Sequence, residues 1–205
     1  PPSSADITKG YSEIWTNEQK PDLTISASDS GSEMSGGSMK FSCSDEGPWT
    51  NSVIFSESYS DFNILSEQYN CPSGNGGRTI YALVSDKAGN WINTAVHTDI
   101  NYDGTVPSPP RNLTATAGDE EVSLSWDHPS NPDNNSGNAE YRIIVLNNGS
   151  EEQNTAIGRR RKSTTRSTLI NGTTYTFRVS TIDGAGNEST YDETTKAPVA
   201  GDNEE

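Results

Sequence analysis

Two histidines, two cysteines, one basic run and a large surplus of carboxylates are the parts from which this chain could build chemistry. A metal centre or a nucleophilic triad needs several ligands converging on one point. No His-x-x-x-His, Glu-x-x-His or Gly-x-Ser-x-Gly spacing supplies them here. His97 is expected on the solvent face of a late strand, and His128 falls far from it in the sequence. With 29 Asp and Glu residues, a glycosidase-like carboxylate pair can be drawn in many places, yet no spacing singles out two of them. Solvation of the surface accounts for them at lower cost, so the residue pattern points away from catalysis.

Cys43 and Cys71 are the only cysteines. Two thiols suit one disulfide better than a metal site, which usually takes four ligands. Such a bond would add about 3 to 4 kcal/mol to a small core. The competing account is a pair of buried thiols in a reducing cytoplasm, against which stand the polar residues flanking both positions.

Calcium asks for six to eight oxygens, and two regions collect them. One is the polar stretch from Asp127 to Asn138, with Asp127, Asp133, Asn134 and Asn135; the other is the set Asp29, Asp86 and Asp103. Neither follows the EF-hand spacing, and the alternative is a solvated loop or an Asp-stabilised turn. Arg159, Arg160, Arg161 and Lys162, with Arg166 nearby, concentrate five of the 14 basic residues in one place. That run could dock an acidic neighbour, bind a sulfated glycan or offer a cleavage site; charge guarding an edge strand against aggregation is the plainer account. Asn-x-Ser/Thr sequons begin at Asn112, Asn134, Asn148, Asn171 and Asn187 and matter only where the producing cell glycosylates. Aromatic residues crowd the first half: Trp15, Trp49, Tyr59, Phe62, Tyr69 and Trp91. Turned outward together, Trp49, Tyr59 and Phe62 would form a platform for stacking sugar rings; turned inward, they would thicken a core poor in leucine.

The elements that must position these groups are strands. Turn residues punctuate the sequence every eight to twelve positions, and no segment asks for a helix of any length. Period-two alternation is carried by Leu23, Ile25 and Ala27; by Met39, Phe41 and Cys43; by Val53 and Phe55; by Ile80, Ala82 and Val84; and by Ala95 towards Ile100. It resumes with Leu113 and Ala115, with Val122, Leu124 and Trp126, with Tyr141, Ile143 and Val145, with a shorter run from Thr164 to Ile170, and with Tyr175, Phe177 and Val179. Between the halves, Asp103 to Pro110 carries three prolines, which cannot enter a central strand. The expected division is therefore 1–104, with 1–10 as linker, then 105–198, then an acidic tail over 199–205. The segment Asp86-Lys87-Ala88-Gly89-Asn90 returns 97 residues later as Asp183-Gly184-Ala185-Gly186-Asn187, one sandwich apart.

Composition narrows the class. Only 29% of the chain is hydrophobic, low enough to raise disorder; the alternating runs and the 4 Trp, 8 Tyr and 4 Phe argue for thin two-sheet cores instead. A formal charge of −15 disfavours nucleic acid and anionic lipid as partners, and no apolar run approaches the roughly 20 residues that cross a bilayer, so no membrane insertion is expected of this segment. The opening Pro-Pro-Ser-Ser reads as linker cut from a larger protein.

The second half resembles fibronectin type III domains. Pro109-Pro110-Arg111-Asn112-Leu113-Thr114-Ala115 and Val122-Ser123-Leu124-Ser125-Trp126 are similar to the opening strands; Tyr141-Arg142-Ile143-Ile144-Val145 resembles the third. Leu169 with Tyr175-Thr176-Phe177-Arg178-Val179 is similar to the tyrosine-corner region and the strand after it. The resemblance implies that Trp126 fills the core and that the Tyr175 hydroxyl bonds to backbone a few residues upstream. The first half resembles bacterial Ig-like surface modules through Trp15-Thr16-Asn17, Leu23 to Ser32, Met39-Lys40-Phe41-Ser42, Tyr81 to Asn90 and the exit Asp103-Gly104-Thr105-Val106-Pro107. Cys71 precedes the late alternating strand instead of lying within it, which departs from the inter-sheet pin of antibody domains.

The expectation is an all-β chain of two tandem immunoglobulin-like β-sandwiches without catalytic residues, extracellular or at a cell surface. It would act as adhesion or spacer modules on a surface protein or glycan. The alternative is a carbohydrate-binding accessory region of a secreted hydrolase. No cofactor is expected beyond a Ca²⁺ ion at Asp127, Asp133 and Asn134.

Overall fold

In the computed structural model the chain is described over residues 1–130 and 135–201. It forms two compact units that divide between Gly104 and Thr105. Almost all of the regular structure is strand, as the alternation required.

The first unit contains β1 (Ser4–Lys9), β2 (Trp15–Thr16), β3 (Leu23–Ser28), β4 (Ser38–Ser42), β5 (Val53–Ile54), β6 (Ser58–Tyr59), a single 3₁₀ turn (Glu67–Tyr69), β7 (Gly76–Ser85) and β8 (Val96–Tyr102). They assemble as a three-stranded sheet in the order β1-β3-β6 and a five-stranded sheet in the order β2-β8-β7-β4-β5. Successive side chains along a strand face opposite sides. Met39 and Phe41 therefore enter the core with Ile80, Ala82 and Val84, while Lys40, Tyr81 and Leu83 face outward. Leu23 and Ile25 from β3 meet them from the other sheet.

Residues 1–10 are not a linker. Ala5 and Ile7 alternate with polar neighbours, which is a strand signal too short to stand out between Pro-Pro-Ser-Ser and Gly10. β1 pairs antiparallel with β3 from Ser4↔Ser28 to Lys9↔Leu23, and Ile7 is buried.

The second unit contains β9 (Arg111–Gly118), β10 (Glu121–Asp127), β11 (Asn138–Asn147), β12 (Ser150–Gly158), β13 (Ser163–Arg166), β14 (Tyr175–Asp183) and β15 (Asp192–Lys196). Its sheets run β13-β10-β9 and β12-β11-β14-β15. Val122, Leu124 and Trp126 from the first sheet pack on Tyr141, Ile143, Val145, Phe177 and Val179 from the second. The segment after β15 is held as far as Val199, whose N–H donates to Gly118 O (3.0 Å), while Pro198 O accepts from Gly172 (2.9 Å). Val199, expected in the tail, is thus tied to the fold, and the remainder of that expectation, residues 202–205, lies outside the described residues.

Candidate functional site

The parity of β4 separates the aromatic residues of the first unit into two groups. Phe41 points into the core, and the insertion follows it there: Tyr59 stacks on Phe41 (centroids 4.9 Å apart, planes at 8°), Phe62 packs against it at 5.6 Å, and Tyr69 leans on Phe62 at 6.1 Å. Phe62 is buried and Tyr59 half-buried, so of the two arrangements open to Trp49, Tyr59 and Phe62 the joint outward platform does not form, and Tyr59 and Phe62 thicken the core. The reason is energetic: in a unit with few Leu and Val residues, aromatic rings are the largest apolar surface on offer and are drawn inward.

Trp49 takes the other side. Thr50 brackets Phe41 with two hydrogen bonds, its N–H to Phe41 O (2.9 Å) and its Oγ1 from Phe41 N–H (3.0 Å), which lays residues 49–50 beside β4. Lys40, one residue back on the outward face, then reaches Trp49, with Nζ 5.7 Å from the ring centroid. Trp91 closes on the same ammonium at 4.6 Å. Its position is set by the turn before it: Asp86 accepts from Asn90 N–H (2.9 Å) and Asn90 Nδ2 (2.8 Å), Gly89 adopts φ +86°, and Trp91 bridges back to Ser85. The Asn90 side-chain bond, ahead of its backbone N–H, holds the Asp86 carboxyl well below the ordinary carboxylate range, so the clamp is charged and intact at neutral pH.

The result is a lysine ammonium between two half-exposed indoles on the open face of a sheet. Each cation–π contact contributes about 0.5 to 1 kcal/mol at such a site. Two flat π-faces flanking a donor can stack pyranose rings and bond their hydroxyls. Beyond this trio the face continues with Leu83, opposite Lys40, and with Tyr81 opposite His97, whose ring lies 5.6 Å from the tyrosine. Lys40 faces outward because it alternates with Met39 and Phe41; its meeting with two tryptophans distant in sequence carries no local signal.

The disulfide Cys43–Cys71 is formed, with Cα atoms 4.8 Å apart. It joins the end of β4 to the loop after the 3₁₀ turn, next to the Cys43 N–H bond to Tyr69 O (2.9 Å), and is not a pin from strand to strand. Arg78, which the sequence did not single out, is buried at the same end of the unit and donates to Ile64 O (2.7 Å), Pro72 O (3.2 Å), Gly74 O (2.7 Å) and Gly76 O (3.1 Å).

In the second unit Trp126 is buried and meets Tyr141 edge-on, at 5.3 Å and 68°. The Tyr175 hydroxyl accepts from Ile170 N–H (3.1 Å). Asp183 repeats the Asp86 clamp with bonds from Ala185 N–H (2.9 Å), Asn187 N–H (2.8 Å) and Asn187 Nδ2 (2.9 Å). Of the calcium candidates, Asp127 is exposed and takes a bond from Asn112 Nδ2 (2.8 Å), whereas Asp133 and Asn134 lie outside the described residues. Asp29 is occupied by Ser32, through its N–H (2.7 Å) and Oγ (2.9 Å), and Asp103 takes Asn75 Nδ2 at 2.6 Å. Among the described residues no three His, Cys, Asp or Glu side chains converge as metal ligands. Arg159 to Lys162 form the exposed connection between β12 and β13, and His128 lies in the β10–β11 connection.

Residues 108–197 match the fibronectin type III domain family. The fold is similar to the FN1–FN3 domains of chicken CNTN1, at TM-score 0.59 and 16% identity over 97% of this chain, which spans 64% of that structure. It is similar as well to the fibronectin(III)-like modules of Clostridium thermocellum CbhA, at TM-score 0.61 and 13% identity, covering 98% of this chain and 97% of that one. No curated protein matches the sequence. A fibronectin type III domain therefore occupies most of the second unit, and the chain as a whole is a nearly all-β sandwich protein resembling tandem fibronectin type III and Ig-like structures.

Proposed function

We propose that this chain is a non-catalytic extracellular segment of a secreted or cell-surface protein, a bacterial Ig-like module followed by the fibronectin type III domain, that spaces and displays by surface contact. The observation that carries this reading is that each unit closes its own core from its own side chains, Ile7 to Tyr102 in one and Val122 to Val179 in the other. Units built in this way bear load in series and need no partner to fold. The disulfide suits an oxidising compartment. No helix among the described residues is long and apolar enough to cross a membrane. A surface protein or glycan is the proposed partner, since a net charge of −15 repels nucleic acid.

Single-molecule stretching tests it. Two separate unfolding events are expected, one of them shortened by the 28-residue loop that the disulfide locks and lengthened on reduction by roughly 100 Å of chain. One merged event refutes the reading.

A second reading, a carbohydrate-binding accessory region of a secreted hydrolase, is favoured by the placement of Lys40 between Trp49 and Trp91. It predicts retention on insoluble polysaccharide that both Trp49→Ala and Trp91→Ala abolish. Retention that survives the two substitutions removes this face from the account.

A further inference from the structure

In the second unit a pocket of about 490 Å³ opens between the β10–β11 and β12–β13 connections, lined by His128, Pro129, Asn138, Tyr141, Arg159 and Arg160. Its size lies within the roughly 300–1,000 Å³ of ordinary small-molecule sites. The floor is rigid. Tyr141 is fully buried against Trp126, its hydroxyl lies 2.6 Å from His128 Nδ1, and the two rings stack at 6.1 Å and 15°. Burial raises the Tyr141 phenol above its ordinary pKa, so it stays neutral in its bond with His128.

The rim is cationic and uncommitted. Arg159 gives one long bond to Asn138 O (3.4 Å), and among the described residues neither Arg159 nor Arg160 pairs with a carboxylate, in a chain where acids outnumber bases by 29 to 14. Guanidinium forks left open beside a preformed pocket match a carboxylate or sulfate. Asn138 Oδ1, buried at the wall, meets no donor and is free to accept from a hydroxyl after a small side-chain rotation.

We propose that this pocket binds an acidic sugar: one saccharide unit bearing a single carboxylate or sulfate, at a chain end or within an otherwise neutral polymer. The anion would sit on Arg159 and Arg160, the ring over Pro129 and the exposed His128 imidazole, which the buried Tyr141 backs from beneath, and a hydroxyl against Asn138 Oδ1 once that side chain turns. An acidic peptide side chain, with one carboxylate on a flexible stem, leaves that floor unused. A long polyanion is repelled by the net charge of −15, so local and single charge is favoured over a heparin-like chain. This binding activity goes beyond the spacer reading and stands without it, because the stretching experiment does not involve the pocket.

The test is calorimetric titration of the 205-residue chain with galactosyl-galacturonate, galactose 6-sulfate, neutral galactobiose, triglutamate and inorganic sulfate. Saturable binding of one of the two acidic sugars is expected, and which one binds identifies the acid. Neutral galactobiose should bind about tenfold more weakly or worse, as one lost charge-assisted contact requires. Arg159→Ala and Arg160→Ala should each cost about tenfold, Arg160→Lys less because the charge remains, and Arg161→Ala, outside the pocket lining, nothing. An unchanged melting curve for these exposed-residue variants keeps the comparison clean. Absence of binding by both acidic sugars at millimolar concentration, equal affinity for triglutamate or inorganic sulfate, or indifference to Arg159→Ala and Arg160→Ala overturns the proposal.

Discussion

The two units reach similar two-sheet architectures by different means. In the second, nearly every residue from 111 to 196 of regular structure lies in a strand of four to ten residues, and the core is a lattice of alternating side chains. In the first, the stretch from Cys43 to Asn75 holds only two two-residue strands and one 3₁₀ turn. Backbone groups in such a stretch have few ladder partners, yet buried N–H and C=O groups must be bonded to something. Side chains take the place of the missing ladder: Arg78 gathers four carbonyls, Asn75 ties to Asp103, and the disulfide secures the end of β4. Where strand alternation is weak, polar and covalent cross-links carry the order.

The largest test of that contrast is Arg78→Met. The guanidinium is buried, stacks over Tyr102 at 5.1 Å, and is the donor that Ile64, Pro72, Gly74 and Gly76 share. Methionine replaces its volume but leaves those carbonyls without a donor, at a cost of about 2 to 4 kcal/mol. Chemical denaturation should show the transition of the first unit moving to lower denaturant while that of the second stays in place. Equal movement of both would mean that the units are not independently held.

A smaller effect is expected where one hydroxyl closes a loop in the second unit. Tyr175→Phe removes the acceptor for the Ile170 N–H and keeps the ring in the core. The loss should be about 1 kcal/mol, the ordinary net value of one hydrogen bond, and it should appear only in the second transition. A loss near that of Arg78→Met would show that the second unit, too, depends on single polar contacts.

How much of this was legible follows from the same division. Val122, Leu124, Trp126, Tyr141, Phe177 and Val179 alternate over long runs, and such runs declare both the strand and the face it buries. β12 and β15 escaped because their residues are almost all exposed or half-exposed: an edge strand such as Ser150–Gly158 carries Glu, Gln, Asn and Thr on both faces and shows no apolar period. β1 escaped because only Ala5 and Ile7 mark its buried face and the Pro-Pro-Ser-Ser before them reads as linker. Lys40 went unremarked between Met39 and Phe41, and its contact with Trp49 and Trp91 depends on loops whose path the local pattern does not encode. Arg78 gave no sign of burial, because an arginine after Gly-Asn-Gly-Gly reads as solvated. The basic run at Arg159 was visible as a charge anomaly, and only the fold sets two of its members beside His128 and Tyr141.

The smallest expected effect concerns the motif that the two units share. In the first unit the folded-state pKa of Asp86 is lowered, chiefly by the Asn90 side chain. A carboxylate whose folded pKa lies below its unfolded value contributes stability that is present in full above the unfolded value, about 3.9, and is lost as pH falls below it. The melting temperature of the first unit should therefore decline from about pH 4 downward, and Asp86→Asn, which keeps the shape and removes the titration, should flatten that decline while lowering the plateau at neutral pH. Asp183→Asn in the second unit, where Asn187 bonds the carboxylate through its N–H and Nδ2 as Asn90 does for Asp86 and the Ala185 N–H adds a third bond, serves as the paired variant. Each substitution should alter only its own transition, because each clamp secures a turn within a separately cored unit. An acid-limb decline in the first transition that is as steep in Asp86→Asn as in the parent would assign the effect to the other carboxylates and leave the Asp86–Asn90 turn a matter of shape alone.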